Sequence, residues 1–217
     1  MYRRYAIYYT PPPGALAEFG ADWLGWDVAS GTPRAVAAER EDIVARPRKY
    51  GFHATIKPPF RPTADVGALQ ADVAALTARL APVTLEALIV RPLGRFVALV
   101  PAGDVTALNA MAAEAVRALD AHRAPAPAEE LERRRAAGLT PAQEANLIRW
   151  GYPYVMEEFR FHMTLSRALD DPAPVRAEAE VQLTGIIGSP HVIDSLTLVG
   201  EGADGMFREV HRYALTG

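Results

Sequence analysis

Two short stretches, far apart in the chain, carry the same pattern of one histidine and one threonine. The first reads F-H-A-T-I and contains His53 and Thr55, and the second reads F-H-M-T-L and contains His162 and Thr164. Because successive side chains of a β-strand point to opposite faces, each His and Thr share one face and the apolar residues share the other. Each strand can therefore bury an apolar face in a core and present an imidazole and a hydroxyl to a cleft. The two stretches predict two strands that converge on one anion.

These residue types suit the hydrolysis of a phosphodiester. Two imidazoles with pKa values near neutral can move protons in both directions, one taking a proton from water and the other giving one to the departing alkoxide. Threonine hydroxyls can donate hydrogen bonds to the non-bridging oxygens of a phosphate, and a nearby Arg or Lys can balance its charge. The sequence has no close metal-binding spacing such as His-Glu-x-x-His, and threonine is a poor zinc ligand. We therefore expect a site without metal or cofactor.

One His-x-Thr stretch alone is weak evidence, because a histidine on an apolar strand is more often a hydrogen-bonded core residue than a catalyst. Two copies, each preceded by Phe and followed by an aliphatic residue, are much harder to explain by chance. The other three histidines, His122, His191 and His211, have no repeated partner, and we interpret them as structural.

Further candidates follow from their positions beside the two stretches. Lys57 lies two residues beyond the first threonine and Arg160 two residues before the second histidine, so both fall on the histidine face of a regular strand. Either side chain is a candidate for holding a phosphate oxygen. Tyr8 and Tyr152 are candidates for stacking on a base or sugar, although aromatic residues at such places are more often part of a core.

A basic run precedes the first stretch. It consists of Arg46, Arg48 and Lys49. Such a run usually forms a solvated face, but this one lies directly beside His53.

Composition limits the class of protein. The chain has 217 residues, of which 50% are hydrophobic and 23% charged, and a net charge of -3 without the basic excess that drives nucleic-acid binding. Cysteine is absent, which excludes disulfides and thiolate catalysis in this chain. The first apolar run stops at Pro11–Pro13, too early for a secretory signal, and no apolar run approaches the length of a membrane span. We expect a cytoplasmic protein without a membrane partner.

An internal repeat predicts the fold. Each His-x-Thr strand is followed by a helix and, about 30 residues on, by a pair of strands. The predicted strand pairs are Val83–Val90 with Arg95–Val100 and Val192–Val199 with Phe207–Leu215; the predicted helices outside residues 124–150 include Ala15–Trp26, Thr63–Leu80 and Asp104–His122. This pattern predicts an α+β fold in which residues 1–217 form one domain of two duplicated lobes related by a pseudo-twofold axis. Antiparallel sheets with outer helices would place both His-x-Thr strands in a central cleft.

Residues 124–150 interrupt this repeat and are predicted to be a helical insertion. Ala124–Ala128 alternates Ala and Pro, which favours a stiff linker. Thr140 is followed by proline and, at the third position, by Gln143, the pattern of a helix N-terminal capping box. The segment fits either a lid or a spacer.

The two motifs, with their flanking residues, resemble a known superfamily. The segment Lys49–Phe60 reads K-Y-G-F-H-A-T-I-K-P-P-F, and the segment Phe159–Leu165 reads F-R-F-H-M-T-L. They are similar to the two-histidine phosphoesterases, which include cyclic nucleotide phosphodiesterases and RNA-end enzymes related to LigT. The two segments more closely resemble a branch described as phosphonate-metabolism proteins.

The resemblance implies a bilobal fold with both motifs in a central cleft, and hydrolysis of a cyclic or linear phosphodiester. His53 and His162 would be the acid and the base, in an order that the sequence leaves open, and Thr55 and Thr164 would bind phosphate. A small cyclic sugar phosphate is the expected substrate. Two alternatives stay open: an enzyme acting on RNA 2′,3′-cyclic ends, and a module that binds a phosphorylated ligand without turnover. The sequence also leaves the oligomeric state open.

Overall fold

A computed structural model describes residues 2–63 and 66–217 of the chain. Within these ranges the helices are α1 (Ala15–Leu24), α2 (Ala38–Val44), α3 (Val66–Thr77), α4 (Thr106–Ala118), α5 (Ala128–Arg135), α6 (Pro141–Trp150) and α7 (Ala173–Leu183). The strands are β1 (Tyr5–Tyr9), β2 (Trp26–Asp27), β3 (Thr32–Pro33), β4 (Ala54–Phe60), β5 (Val83–Leu85), β6 (Ala87–Leu93), β7 (Phe96–Ala102), β8 (Met163–Thr164), β9 (His191–Ile193), β10 (Ser195–Glu201) and β11 (Phe207–Ala214).

The strands that carry the two motifs lie at the centre of one antiparallel sheet. Seven of the described strands form this sheet in the order β11-β10-β1-β4-β8-β7-β6. β4 and β8 are neighbours, joined where Ala54 pairs with Met163. The predicted α+β class with antiparallel strands is therefore confirmed, and the two motifs lie side by side, although they are more than 100 residues apart in the sequence.

Each of the two strand pairs of the repeat lies beside the motif strand of the other part of the repeat. The pair β6–β7 follows the first motif in the chain but lies beside β8 of the second motif. The pair β10–β11 follows the second motif but reaches β1, which lies beside β4 of the first motif. Each motif strand is thus supported by strands from the other part of the repeat.

The two faces of the sheet are buried by different residues. Along β1, Tyr5, Ile7 and Tyr9 belong to the main core, together with residues of α1, α3, α4 and α7. Ala6 and Tyr8 point the other way and belong to a second, smaller cluster with Trp26, Val28, Val199 and Phe207. Because side chains alternate along a strand, the helices cover one face and the smaller cluster lies on the opposite face. This opposite face carries the site described below.

Several predicted elements differ in detail. The predicted strand Val83–Val90 is two strands, because β5 pairs with β9 in a separate small sheet whereas β6 starts at Ala87 and pairs with β7. Thr63 donates a hydrogen bond to the Ala121 carbonyl oxygen, and the residues between Thr63 and α3 lie outside the described ranges. The capping box of α6 is confirmed, since Thr140 and Gln143 exchange both predicted hydrogen bonds. No helix in the described ranges is long and apolar enough to cross a membrane.

Candidate active site

The two histidines are held in the same way. His53 lies immediately before β4 and His162 immediately before β8. Nδ1 of His53 is 2.8 Å from the Gly51 carbonyl oxygen, and Nδ1 of His162 is 2.8 Å from the Arg160 carbonyl oxygen. A carbonyl oxygen can only accept, so Nδ1 carries the proton and donates in both cases. This leaves Nε2 of each ring as the nitrogen that can take up or release a proton.

The backbone conformation of Gly51 places its carbonyl oxygen next to Nδ1 of His53. Its φ of 72° lies in the left-handed region, where residues with a Cβ are strained. A Cβ at this position would also lie 2.6 Å from Cβ of Val28. A glycine therefore allows the chain to turn tightly against Val28 just before the first motif.

His53 is enclosed by the smaller cluster. The Tyr8 ring on β1 stacks on it, with ring centroids 3.8 Å apart and planes 25° apart. Burial lowers the pKa of His53 from 6.5 to about 4; the hydrogen bond to Gly51 opposes this, and the charge of His162 lowers the pKa further. His53 is therefore neutral at pH 7. Its Nε2 lies 3.1 Å from Oγ1 of Thr55, whose hydroxyl donates to the neutral ring.

Two cavities flank the motif strands, and each combines the histidine of one motif with the threonine of the other. The His53 cavity has a volume of about 280 Å³ and is lined by Arg46, Pro47, Tyr50, Gly51, His53, Phe96, Thr164, Ser166, Arg167 and Ala168. The His162 cavity has a volume of about 440 Å³ and is lined by Thr55, Ile56, Pro58, Leu93, Phe96, Gln143, Tyr152, Tyr154, Val155, Glu158, Phe159, Arg160 and His162. Phe96 lines both cavities, which places them next to each other. The four motif residues thus line two neighbouring cavities.

Arg160 and Tyr152, both predicted as binding residues, line the His162 cavity. The Arg160 side chain is exposed, and no hydrogen bond or ion pair of its guanidinium is present in the described part of the chain. The Tyr152 ring is half-buried against Tyr154, with centroids 5.7 Å apart. The Arg134 guanidinium of α5 covers it at 4.7 Å. Tyr152 is therefore already stacked on a cation.

Lys57, predicted on the histidine face, lies on the opposite face of the sheet. In the pairing of β1 with β4, Tyr8 lies opposite Thr55 but Ile7 lies opposite Lys57, so β4 has an extra residue at a β-bulge. Directly opposed residues share a face, and Ile7 points into the main core. The Lys57 ammonium donates to the Val116 carbonyl oxygen of α4 at 3.1 Å. The side chain is 2% exposed and lines neither cavity.

Residues 124–150, the predicted insertion, form part of the wall of the His162 cavity. Gln143 of α6 lines the cavity and donates a hydrogen bond of 2.8 Å to Glu158. Glu130 of α5 accepts hydrogen bonds from Arg134, at 2.7 Å, and from Arg61, at 3.2 Å, so α5 is tied to the residue that follows β4. Of the two helices in residues 124–150, α6 therefore borders the His162 cavity directly, and α5 contacts the adjoining residues Arg61 and Tyr152.

Of the basic run before the first motif, one residue reaches the cleft. Arg46 lines the His53 cavity. Arg48 forms an ion pair with Glu41 at 2.7 Å, and the Lys49 ammonium lies 4.5 Å from the centroid of the Tyr50 ring. The run was the only sequence signal for Arg46. Phe96 and Ser166 gave no signal, because they resemble ordinary core residues.

The described residues contain no group of three or more His, Cys, Asp or Glu side chains placed to hold a metal ion. The candidate site therefore consists of two imidazoles, two hydroxyls and the arginines of the two cavities.

Comparison with known proteins gives one family match. A family model described as "Protein of unknown function (DUF1045)" matches residues 55–208. This range begins at Thr55 and contains the second motif complete.

Two curated relatives are named "Ribose 1,5-bisphosphate phosphokinase PhnN". The protein from Janthinobacterium sp. (strain Marseille) is 37% identical over 99% of this chain and 51% of its own length. The protein from Laribacter hongkongensis (strain HLHK9) is 39% identical over 77% of this chain and 41% of its own length. The chain spans about half the length of the curated relatives it matches.

Solved structures with a similar course of the chain include one titled as a phosphoesterase, with a TM-score of 0.48, 15% identity and full coverage of both chains. Escherichia coli LigT complexed with 3′-AMP has a TM-score of 0.45 and 18% identity, again with full coverage of both chains.

Proposed function

We propose a hydrolytic function for this chain, which belongs to the DUF1045 family of proteins of unknown function. It opens a small cyclic phosphodiester without a metal ion, by acid–base catalysis from His53 and His162. The observation that carries this proposal is the arrangement of the two cavities, each of which combines the histidine of one motif with the threonine of the other. A phosphate between the cavities would meet both imidazoles and both hydroxyls.

In the proposed reaction, His53 is the general base and His162 the general acid. His53 is neutral at pH 7 because burial lowers its pKa to about 4, and its Nε2 takes a proton from the attacking water. The water oxygen forms a new bond to phosphorus, and the bond from phosphorus to one ester oxygen breaks. Protonated His162 gives a proton from Nε2 to this departing oxygen, which becomes a hydroxyl. When substrate binds, the Thr55 hydroxyl turns from Nε2 of His53 to the phosphate. Thr55 and Thr164 then donate hydrogen bonds to the non-bridging oxygens, whose negative charge increases during the attack.

A phosphorylated sugar is the substrate class that the relatives favour. Their name refers to ribose 1,5-bisphosphate, a sugar with phosphate monoesters. Hydrolysis of a cyclic sugar phosphate likewise leaves a phosphate monoester on the sugar. The sequence has no G-x-x-x-x-G-K-S/T phosphate-binding loop, so we do not extend the kinase activity in that name to this chain. A role in phosphonate metabolism follows from the resemblance of the two motifs.

The proposal is tested by hydrolysis with EDTA present. The substrates are nucleoside 2′,3′-cyclic phosphates, a ribose cyclic phosphate and an RNA oligomer with a 2′,3′-cyclic end. We expect turnover of a small cyclic ester, and His53→Ala and His162→Ala should each lower kcat by about 10²–10⁴-fold. His211→Ala is the matched control, since His211 is exposed on β11 and lines neither cavity.

Retained hydrolysis in both catalytic variants would contradict the assigned roles. Preference for the RNA oligomer would favour the RNA-end enzyme. Binding of these esters without any turnover would favour the module that only holds a phosphorylated ligand.

A further inference from the structure

Two free arginine side chains border the cleft, one in each cavity. Most arginines in the described ranges form an ion pair or a hydrogen bond. Arg46 in the His53 cavity and Arg160 in the His162 cavity form neither through their guanidinium groups in those ranges, and both are exposed. An unpaired guanidinium has five N–H donors and a full positive charge available for a ligand.

The two cavities differ in charge. The His53 cavity is lined by two arginines and no carboxylate. One of these, Arg167, already pairs with Asp42 and donates to the Ala168 carbonyl oxygen. The His162 cavity has Arg160 but also Glu158. A group with two negative charges would be repelled by Glu158 and finds no such repulsion from the lining of the His53 cavity.

A second donor in the His53 cavity is also free. The Tyr50 hydroxyl makes no hydrogen bond within the described residues, although the Tyr50 ring packs on Phe207 with centroids 5.3 Å apart. The lining also contains the apolar residues Pro47 and Phe96. Hydrogen bonds from a charged donor such as the Arg46 guanidinium are stronger than those between neutral groups.

We propose that the His53 cavity binds a second phosphate group of the substrate, a phosphate monoester held by the Arg46 guanidinium. The reacting phosphodiester lies between the two histidines, and the larger His162 cavity, with its aromatic lining, takes the remainder of the molecule. This inference rests on the proposed function and narrows its substrate to cyclic phosphodiesters that carry another phosphate.

The first experiment compares matched substrates. Hydrolysis of adenosine 2′,3′-cyclic phosphate is measured with and without a 5′-phosphate on the nucleoside. The wild-type protein should prefer the 5′-phosphorylated substrate in kcat/KM by about 10–100-fold, the range expected of hydrogen bonds to a charged group. Arg46→Ala should remove most of this preference, because it lowers kcat/KM for the 5′-phosphorylated substrate more than for the other, and Arg46→Lys should restore part of it.

The matched control is Arg117→Ala. Arg117 is an exposed arginine of α4 that lines neither cavity and has no ion pair in the described ranges. Arg117→Ala should keep the wild-type preference for the 5′-phosphorylated substrate. The Arg46 side chain is exposed and forms no hydrogen bond or ion pair in the described ranges, so Arg46→Ala should also keep the melting temperature of the wild type.

A binding experiment separates this inference from the proposed function. Titration calorimetry compares adenosine 3′,5′-bisphosphate with adenosine 3′-phosphate, which need no turnover. Absence of hydrolysis together with Arg46-dependent tighter binding of the bisphosphate would overturn the proposed function and keep the second phosphate site. Equal binding of both ligands, or equal losses for both substrates in Arg46→Ala, would overturn the second site and leave hydrolysis standing.

Discussion

Replacing Tyr8 by phenylalanine tests how the His53 ring is held. Tyr8 is fully buried, and its hydroxyl has no hydrogen-bond partner in the described part of the protein. A buried polar group without a partner costs about 1–3 kcal/mol, and phenylalanine removes this group while keeping the ring that stacks on His53. We therefore expect Tyr8→Phe to raise the free energy of unfolding by about 1 kcal/mol. For a chain of this size, that change raises the melting temperature by about 2–4 °C.

Urea and thermal unfolding measure this change, and hydrolysis of the preferred cyclic ester measures the site. Tyr8→Phe should leave kcat/KM almost unchanged, because the stacked ring remains. Tyr8→Leu is the control that removes the ring, and it should cost about 2–4 kcal/mol of stability and lower kcat. A loss of more than about 1 kcal/mol in Tyr8→Phe would show that the hydroxyl has a partner, and the reasoning would be wrong.

Three further predictions concern the same part of the fold. The folded pKa of His53 is lowered from 6.5 to about 4, so the unfolded chain binds more protons at this residue between these values. The contribution of His53 to stability should therefore be constant above about pH 6.5 and decrease as the pH falls towards 4. His53→Gln should remove this part of the pH dependence, measured as the free energy of unfolding in urea at several pH values. The same pH dependence in the variant and the wild type would count against the lowered pKa. Gly51→Ala should lower the free energy of unfolding by about 1–2 kcal/mol through the left-handed backbone, and further through the contact of the new Cβ with Val28. Gly138→Ala is the control, because Gly138 has a φ of 74° but lies in open space. In thermal unfolding it should show the backbone cost alone. Lys57→Met should leave kcat/KM unchanged, and a large loss would show that the ammonium contacts substrate after all.

The central part of the site is predictable from local rules. Alternation along a strand places the histidine and threonine of each motif on one face, and the antiparallel sheet keeps both motifs on that face. The same rule failed for Lys57, because a β-bulge between Thr55 and Lys57 reverses the alternation. A bulge depends on how a strand pairs with its neighbour, and the sequence of β4 alone does not indicate this pairing.

The strand order and the choice of free arginines depend on long-range packing. The repeat predicted two strand pairs but not their exchange between the two motifs, since a pattern along one chain does not say which strands pair. Arg46 was visible only as part of a basic run. Arg48 differs from Arg46 because it forms an ion pair with Glu41. Which arginine remains unpaired depends on the fold.

The position of β10 has a consequence for biosynthesis. β10 pairs with β1 along the edge opposite β4. The hydroxyls of Thr10 and Thr197, 187 residues apart, lie 2.7 Å from each other. A ribosome must therefore synthesise nearly 190 further residues before β1 gains this neighbour. Contacts of such large sequence separation slow folding, and until then β1 has an unpaired edge of the kind that favours aggregation. The support of the first histidine is therefore completed only after most of the chain has been synthesised.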